Sequence, residues 1–221
     1  MKVLITAGPT IEPIDPVRYL TNRSSGKMGY ALAGAAAKRG HAVLLVSGPT
    51  NLNIPDGVDF LPVESAEDMY QAVASFIERC DLAIFAAAVA DYTASKFADQ
   101  KIKKTGDEMI LTLKRTKDIL GSARKEMNFK GTLVGFAAET ENVEENARRK
   151  CLTKDCDLVI ANDVSNKEIG FDSKDNEVTL IYPTRSEPLP RASKENLAME
   201  LIEVCEALAE TAQDSQAVAS P

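Results

Sequence analysis

The sequence is poor in the side chains on which many metal sites and hydrolase sites depend. Its 221 residues include no tryptophan, four cysteines and a single histidine, His41. One histidine excludes a metal site built from several histidines, and the absence of a Gly-x-Ser-x-Gly segment argues against a serine hydrolase. Because His41 follows Arg39 and Gly40 at the end of a predicted helix, we interpret it as a turn residue.

The cysteines are scattered, and no two of them form a Cys-x-x-Cys pair. This spacing argues against structural disulfides and a thiolate zinc site, and it indicates a reducing compartment. The positions are Cys80, Cys151, Cys156 and Cys205. The sequence contains no run of about 20 apolar residues, so no membrane-spanning helix is predicted. The N-terminus leads into a predicted strand without the pattern of a signal peptide, so we expect a cytoplasmic protein with no membrane partner.

Positive charge is scarce overall but concentrated in one segment. The chain has 26 basic and 33 acidic residues, a net charge of −7, which argues against a nucleic-acid partner. Between Asp91 and Lys117 the balance reverses, with seven basic residues against four acidic ones. A small, highly anionic ligand would explain this segment, although a solvated lysine-rich loop has the same composition.

The segment Asn22–Gly29 has the features of a phosphate-binding loop. It lies between a short apolar run, Val3–Ala7, and an alanine-rich stretch that predicts a helix. Backbone N–H groups and the helix dipole favour an anion at such a helix start, and glycine lets the backbone approach it closely.

Short apolar runs alternate with helical patterns along most of the chain. The predicted strands are Val3–Ala7, Ala42–Val46, Leu82–Ala88, Leu133–Ala137 and Leu158–Ala161, and the predicted helices are Gly26–Arg39, Ala66–Cys80, Lys117–Met127 and Val143–Lys154. This alternation predicts a Rossmann-like, doubly wound α/β fold, with a mainly parallel sheet covered by helices on both faces.

Three segments depart from the alternation. Glu108–Lys114 and Glu177–Tyr182 predict added strands that form a small β extension. Tyr92–Gly106 lacks periodicity, and we expect a mobile loop over a site.

One domain accounts for the chain. An amphipathic helix is expected at Ser193–Glu210, with Ser193 as its N-cap. We therefore predict a single nucleotide-binding domain over 1–210 and a disordered tail over 211–221.

Two features leave alternative functions open. Tyr92 and Lys96 reproduce the Tyr-x-x-x-Lys spacing of short-chain NAD(P)-dependent reductases, but no acidic residue follows the second strand to hold a ribose hydroxyl. The third strand ends in small residues followed by Asp91, which either accepts hydrogen bonds from a nucleotide or caps a turn. A nucleotide-binding module without catalysis fits the same features.

Several segments in a fixed order resemble bacterial phosphopantothenoylcysteine synthetase, from Val3 to about Ile202. They are Leu4–Thr10, Asp15–Asn22, Ser24–Gly29, Ala87–Tyr92, Lys101–Lys104, Gly135–Thr140 and Ala161–Asp163. Thr93 and Arg115–Lys117 depart from the common pattern of that family near the expected nucleotide.

The resemblance implies a two-step ligation in coenzyme A biosynthesis. CTP activates the carboxylate of 4′-phosphopantothenate as an acyl-cytidylate, and the amine of L-cysteine then displaces CMP. It further implies Mg²⁺ held mainly by nucleotide phosphates rather than by protein ligands, a homodimer, and a phosphopantothenoylcysteine decarboxylase either as a separate partner or on the same longer chain.

The resemblance also implies roles for particular residues. Asn22 is expected to process the acyl-cytidylate, Arg18 to place the pantothenate part or shape the loop, and Lys101 to assist nucleotide activation. The implied nucleotide-binding positions are Gly8, Ser25, Gly26, Ala87, Ala88, Asp91, Lys101, Asp118, Ile119, Leu120, Gly121, Phe136, Lys150 and Lys154.

Overall fold

The computed structural model describes residues 1–104, 106–163 and 175–218, and in these ranges the side chains of 163, 175 and 212–218 are not described. The strands are β1 (Lys2–Ala7), β2 (Ile11–Pro13), β3 (Tyr19–Thr21), β4 (Ala42–Ser47), β5 (Val58–Pro62), β6 (Leu82–Phe85), β7 (Tyr92–Ala94), β8 (Leu113–Arg115), β9 (Thr132–Glu139), β10 (Leu158–Asp163), β11 (Asp175–Asn176), β12 (Val178–Ile181), β13 (Ser186–Pro188) and β14 (Ala192–Ser193). The helices are α1 (Lys27–Lys38), α2 (Ala66–Phe76), α3 (Ile119–Lys125), α4 (Val143–Thr153) and α5 (Lys194–Val218).

An eight-stranded sheet forms the centre of the fold, in the order β13-β12-β10-β9-β6-β1-β4-β5. The six strands from β10 to β5 pair in parallel. β12 and β13 extend the sheet in antiparallel fashion beyond β10. The strand order reverses between β1 and β6, which is where doubly wound sheets bind their ligands. The predicted Rossmann-like fold is confirmed.

Helices cover both faces of the sheet. Alternate residues of each strand point to opposite faces, so the apolar strands place side chains to be buried on both. In β1, Ile5 packs in the core beneath α1 and α5. Its neighbour Leu4 packs in the core beneath α2, α3 and α4. Both side chains are fully buried, as expected for a parallel strand covered on both faces.

The predicted helices form close to their expected positions, with ends set by local caps. α3 begins at Ile119 because the Asp118 carboxylate accepts the N–H of Gly121 at 3.0 Å. Ser193 caps α5, since its Oγ accepts the N–H of Asn196 at 3.2 Å. α5 continues to Val218, beyond the end expected at Glu210.

Other elements differ from the sequence-based expectation. β5 and the hairpin β2–β3 were not predicted. The segment Tyr92–Gly106 begins with strand β7, which pairs with β8. The predicted strand Glu108–Lys114 is reduced to Leu113–Arg115, because the five residues before Leu113 lie outside the ladder with β7. The predicted strand Glu177–Tyr182 is confirmed as β12.

The hairpin β2–β3 is inserted between β1 and α1 and is attached to the start of α2. The buried carboxylate of Glu12 accepts the N–H of Ala66 at 2.8 Å, and the Ile11 N–H donates to the Glu64 carbonyl at 2.8 Å. These contacts fix the hairpin that carries Arg18 and leads into Asn22. Across the described ranges, no helix combines the length and apolar character needed to cross a membrane.

Candidate functional site

A cleft of about 920 Å³ opens at the carboxyl ends of β1, β6, β9 and β10. Thr6 and Phe85 form part of its floor on either side of the strand-order reversal. The loop Asn22–Gly29 and the first turn of α3 line it as well. The cleft therefore occupies the position where an open α/β sheet binds small ligands.

The lining of the cleft is strongly basic although the protein is acidic. Among the described residues that line the cleft, eight are basic and three are acidic, whereas the whole chain has a net charge of −7. The basic residues are Arg23, Lys27, Arg115, Lys117, Arg149, Lys150, Lys154 and Lys194, and the acidic ones are Asp91, Asp118 and Glu139. This concentration of one sign in a concave site attracts anions.

Two glycines bring the loop and the end of β1 together. Gly8 has φ +70° and Gly26 has φ +74°, a conformation that L side chains rarely adopt. A Cβ on Gly26 would stand 3.3 Å from the Cα of Gly8 and 2.8 Å from Cγ2 of Thr50. Gly26 is also the N-cap of α1 and has no side chain to accept the amides of the first turn. This arrangement suits a phosphate group.

Asn22 reaches across the cleft wall to the segment that follows β6. Its Nδ2 donates to the carbonyl oxygens of Ala88 at 3.1 Å and Val89 at 3.0 Å. The structure thus places Asn22 beside Ala88 and Val89. It also shows both amide hydrogens of Asn22 already in use, so a further N–H contact to a substrate requires one of these bonds to be exchanged.

A charged group faces the cleft between α3 and α4. The Lys154 ammonium forms an ion pair with Asp118, whose other oxygen caps α3. Burial raises the pKa of Asp118, but the hydrogen bonds from Lys154 and Gly121 outweigh it, so the pKa lies below its ordinary value. Asp118 therefore stays ionised and holds Lys154 at the rim of the cleft.

Lys150 is half-buried one helical turn before Lys154. Its Nζ donates to the Phe136 carbonyl at 2.6 Å. Burial lowers the pKa of Lys150, because the ammonium loses hydration inside the cleft wall. A bound anion would compensate this cost and raise the pKa again.

Twelve of the predicted site residues line the cleft and four do not. Those in the lining are Asn22, Ser25, Gly26, Ala87, Ala88, Asp91, Asp118, Ile119, Leu120, Phe136, Lys150 and Lys154. Gly8 lies behind Gly26, and Gly121 belongs to the first turn of α3. Arg18 and Lys101 lie outside the lining: Lys101 is exposed, and Arg18 donates to the Ile102 carbonyl at 2.8 Å.

Sequence reasoning missed several buried polar residues of the lining, three of which come from the last third of the chain. Asn162, Asn176 and Lys194 are at most 9% exposed. Asn162 Oδ1 has no hydrogen-bond partner among the described residues. Asn162 lies in Ala161–Asp163, one of the segments that carry the family resemblance, so that motif could have identified it as a site residue. Asn176 and Lys194 come from β11 and α5, and no motif marks them.

The features that suggested a reductase do not form its expected geometry. Tyr92 is the first residue of β7, and Lys96 lies in the loop after that strand. The two therefore do not share the helix that places a catalytic tyrosine beside its lysine in short-chain reductases.

The described ranges contain no group of three or more His, Cys, Asp or Glu side chains placed to hold a metal ion. Asp91 remains as a carboxylate that one Mg²⁺ would share with nucleotide phosphates, an arrangement that Mg²⁺ commonly adopts.

Residues 1–208 match the protein family described as the DNA/pantothenate metabolism flavoprotein C-terminal domain. This chain belongs to that family. The coenzyme A biosynthesis bifunctional protein CoaBC of Vibrio vulnificus (strain YJ016) is 50% identical over 208 residues, which are 93% of this chain and 52% of that protein. CoaBC of Bacillus subtilis (strain 168) is 47% identical over 211 residues, 93% of this chain and 51% of that protein.

A solved structure of the C-terminal domain of CoaBC has the same fold as this chain. Its TM-score is 0.80 at 42% identity, over 95% of this chain and 96% of that one. The chain spans about half the length of the curated CoaBC relatives it matches. The family resemblance read from the sequence motifs is confirmed.

Proposed function

We propose that this chain is a phosphopantothenate–cysteine ligase of coenzyme A biosynthesis that uses CTP as co-substrate. The observation that carries the proposal is the excess of basic side chains, eight against three among the described lining residues, around a cleft at the switch point of a protein of net charge −7. The substrates are polyanions, and their mutual repulsion has to be offset by aimed cations and backbone donors. Membership of the family and the similarity to CoaBC supply the substrate class.

In the first step, a carboxylate oxygen of 4′-phosphopantothenate attacks the α-phosphorus of CTP, and the bond to pyrophosphate breaks. The Gly26 loop and α1 are proposed to receive phosphate groups, and Lys150 and Lys154 to neutralise the charge that develops on the triphosphate. Lys154 would then break its ion pair with Asp118 and form one with a phosphate group instead. Lys101 is proposed to join from the loop outside the cleft, on the same subunit or a partner.

In the second step, the cysteine amine attacks the acyl carbon, CMP leaves with the bonding electrons, and the ammonium proton passes to solvent or to the leaving phosphate. Such an amine needs little help from a protein base, which is consistent with a chain that has one histidine. We propose that Asn22 orients this step. Its amide hydrogens hold the Ala88 and Val89 carbonyls, so we assign its Oδ1 as the acceptor for the incoming amine.

Mg²⁺ is proposed to bind the nucleotide phosphates with Asp91 as its protein contact. It would neutralise charge on the triphosphate during the first step. Asp91 is exposed in the cleft lining and therefore accessible to a nucleotide-bound ion. The other two lining carboxylates are less suitable, since Asp118 is paired with Lys154 and Glu139 accepts a hydrogen bond from Asn146.

The homodimer is proposed to form through the apolar surface of the two hairpins β2–β3 and β7–β8. The two hairpins contact each other through β2 and β7, and they carry large apolar side chains that are 41–89% exposed. Exposed apolar side chains grouped in this way favour an interaction site. They are Val17, Tyr19, Tyr92, Phe97, Met109, Ile110 and Leu113. Ile110→Lys should shift the sedimentation coefficient from dimer to monomer, and Ile54→Lys, an exposed apolar position elsewhere, should not.

The function is tested by incubating the protein with Mg²⁺, 4′-phosphopantothenate, L-cysteine and either CTP or ATP. Release of pyrophosphate and a product with the mass of phosphopantothenoylcysteine are expected with CTP. A nucleotide-binding module would release no pyrophosphate with either nucleotide, and that result refutes the ligase. Tyr92→Phe should leave a ligase largely active, whereas it would abolish a reductase of the Tyr-x-x-x-Lys type.

The product would be the substrate of a phosphopantothenoylcysteine decarboxylase, which we propose as a partner in the cytoplasm. Co-purification of such a flavoprotein with this chain from the native organism tests the association. Its absence from the purified material would argue for separate enzymes.

A further inference from the structure

Asp15 lies at the turn between β2 and β3, and its carboxylate is completely buried. Oδ1 accepts the N–H groups of Val17 and Arg18, both at 2.9 Å. Oδ2 accepts Arg18 Nε at 2.9 Å, Arg18 Nη2 at 2.5 Å and the N–H of Ile102 at 3.1 Å. Five donors thus converge on one carboxylate, three of them from Arg18.

Ile102 is held through both of its backbone polar groups. Its N–H donates to Asp15, and its carbonyl accepts from Arg18 Nη2 at 2.8 Å. Nearby, the N–H of Ala98 donates to the Ile14 carbonyl at 3.1 Å. The segment between β7 and β8 is therefore attached to the β2–β3 turn at two points four residues apart.

We propose that Asp15 is a positioning residue that fixes the lysine segment, Lys101–Lys104, relative to Arg18. The inference rests on the proposed ligase function for its catalytic consequence, but the attachment itself does not depend on that function. Ile102 stands between Lys101 and Lys103, so the two hydrogen bonds on Ile102 set where both lysine side chains begin. The ion pair holds Arg18 in the same unit.

The choice of a carboxylate at this position has a chemical reason. Only an ionised carboxylate accepts hydrogen bonds at both oxygens without presenting a donor, and its buried charge is balanced by the guanidinium. The hydrogen bonds from Arg18 hold the pKa of Asp15 below its ordinary value against the effect of burial. In an asparagine the NH₂ group would replace one of the two oxygens and face the donors that this oxygen now accepts. The hydrogen bonds to that oxygen would be lost.

The test compares Asp15→Asn with Asp99→Asn, which removes an exposed carboxylate from the same loop. Limited trypsin digestion of the folded, unliganded proteins is followed by mass spectrometry of cleavage after Lys101, Lys103 and Lys104. We expect cleavage there to be about tenfold faster in Asp15→Asn, with cleavage after Lys125 in α3 unchanged, because local opening controls proteolysis. Equal cleavage in the two variants, or equal acceleration at Lys125, overturns the proposal.

A catalytic readout separates positioning from a purely structural role. Single-turnover release of pyrophosphate from CTP and phosphopantothenate should fall about 10- to 100-fold in Asp15→Asn, a typical cost of misplaced groups. Amide formation from preformed acyl-cytidylate should change less than threefold, and an equal loss in both steps contradicts the role. If the wild type releases no pyrophosphate, the ligase proposal fails, while the digestion result still decides the attachment.

A second variant covers the case in which Asp15→Asn does not fold. Arg18→Lys keeps a positive charge beside Asp15 but removes the fork that also reaches the Ile102 carbonyl. It should accelerate cleavage at the same three lysines, and unchanged cleavage contradicts the proposal.

Discussion

Gly29 of α1 packs so tightly against Ala7 of β1 that a Cβ on the glycine would stand 2.5 Å from the Cβ of Ala7. This contact joins the helix that starts at the phosphate-binding loop to the strand beneath it. Gly29 lies one turn after Gly26, so the contact fixes the height of the loop above the sheet.

Gly29→Ala should therefore move α1 away from β1. We expect a loss of about 1–3 kcal/mol of unfolding free energy and weaker nucleotide binding, measured by urea denaturation and by calorimetry with CTP. Gly34→Ala on the same helix is the control, because its nearest neighbour would be Pro55 Cβ at an ordinary 3.4 Å. That variant should be neutral or gain up to about 1 kcal/mol from helix propensity. Equal effects of the two substitutions would argue against the close packing.

Asn22→Asp should separate the two steps of the proposed reaction. A second carboxylate oxygen in place of Nδ2 would face the carbonyl oxygens of Ala88 and Val89, which repel it. We expect pyrophosphate release to continue and amide formation to fall by about 100-fold or more. Quenched-flow analysis should show accumulation of the acyl-cytidylate.

Lys101→Gln should block the first step instead. We expect pyrophosphate release to fall about 100-fold, the typical effect of removing one charge-stabilising group. Lys96→Gln, an exposed lysine of the same loop, should release pyrophosphate at the wild-type rate. Equal loss of both steps in Lys101→Gln and Asn22→Asp would refute the division of roles.

Lys150→Met should weaken nucleotide binding without weakening the fold. Burial lowers the pKa of Lys150, so the unliganded protein bears a cost for its charge that methionine removes. We expect KM for CTP to rise about tenfold, in line with the loss of one charge-assisted hydrogen bond of about 1.5–3 kcal/mol, and Tm to stay or increase. Lys125→Met on the exposed side of α3 should change neither quantity.

Glu206 makes the junction between α1 and α5 sensitive to acid. The hydrogen bond from Arg39 holds the pKa of Glu206 below its ordinary value, against the effect of burial, and His41 adds to the lowering. A carboxyl with a depressed pKa in the folded state stabilises above its unfolded pKa and loses this contribution as the pH falls through the folded value. Glu206→Gln should lower Tm by about 2–4 °C at pH 7 and by less near pH 4. Glu210→Gln, an exposed carboxylate of the same helix, is the control and should leave Tm unchanged at pH 7.

The parallel core could be predicted because its strands are short apolar runs that are easily recognised in the sequence. Val3–Ile5 in β1 and Leu158–Ala161 in β10 are continuous apolar runs, which is the pattern of strands buried on both faces. β5 was missed since an edge strand is half-exposed: it contains Asp59 and ends at Pro62. The three-residue strands of the hairpins carry no periodicity, and tertiary contacts such as that of Glu12 with α2 determine them.

The candidate site could be predicted where a motif is continuous in the sequence. The loop Asn22–Gly29 and the segment after β6 were found in this way. Asn176 and Lys194 were missed because the fold brings them to the cleft from separate elements. Lys101 was expected at the nucleotide. In the structure it lies outside the cleft, where the neighbouring residue Ile102 is hydrogen-bonded to Arg18 and Asp15. No sequence motif signals these tertiary hydrogen bonds.

The direction in which α5 runs has a consequence for the field in the cleft. Lys27 and Lys194, the first residues of α1 and α5, both line it, while Glu206 meets Arg39 at the far end of α1. Two long helices therefore aim their positive dipole ends at the same opening. This part of the attraction for anions comes from peptide groups, so neither alkaline pH nor acetylation of every lysine would abolish it.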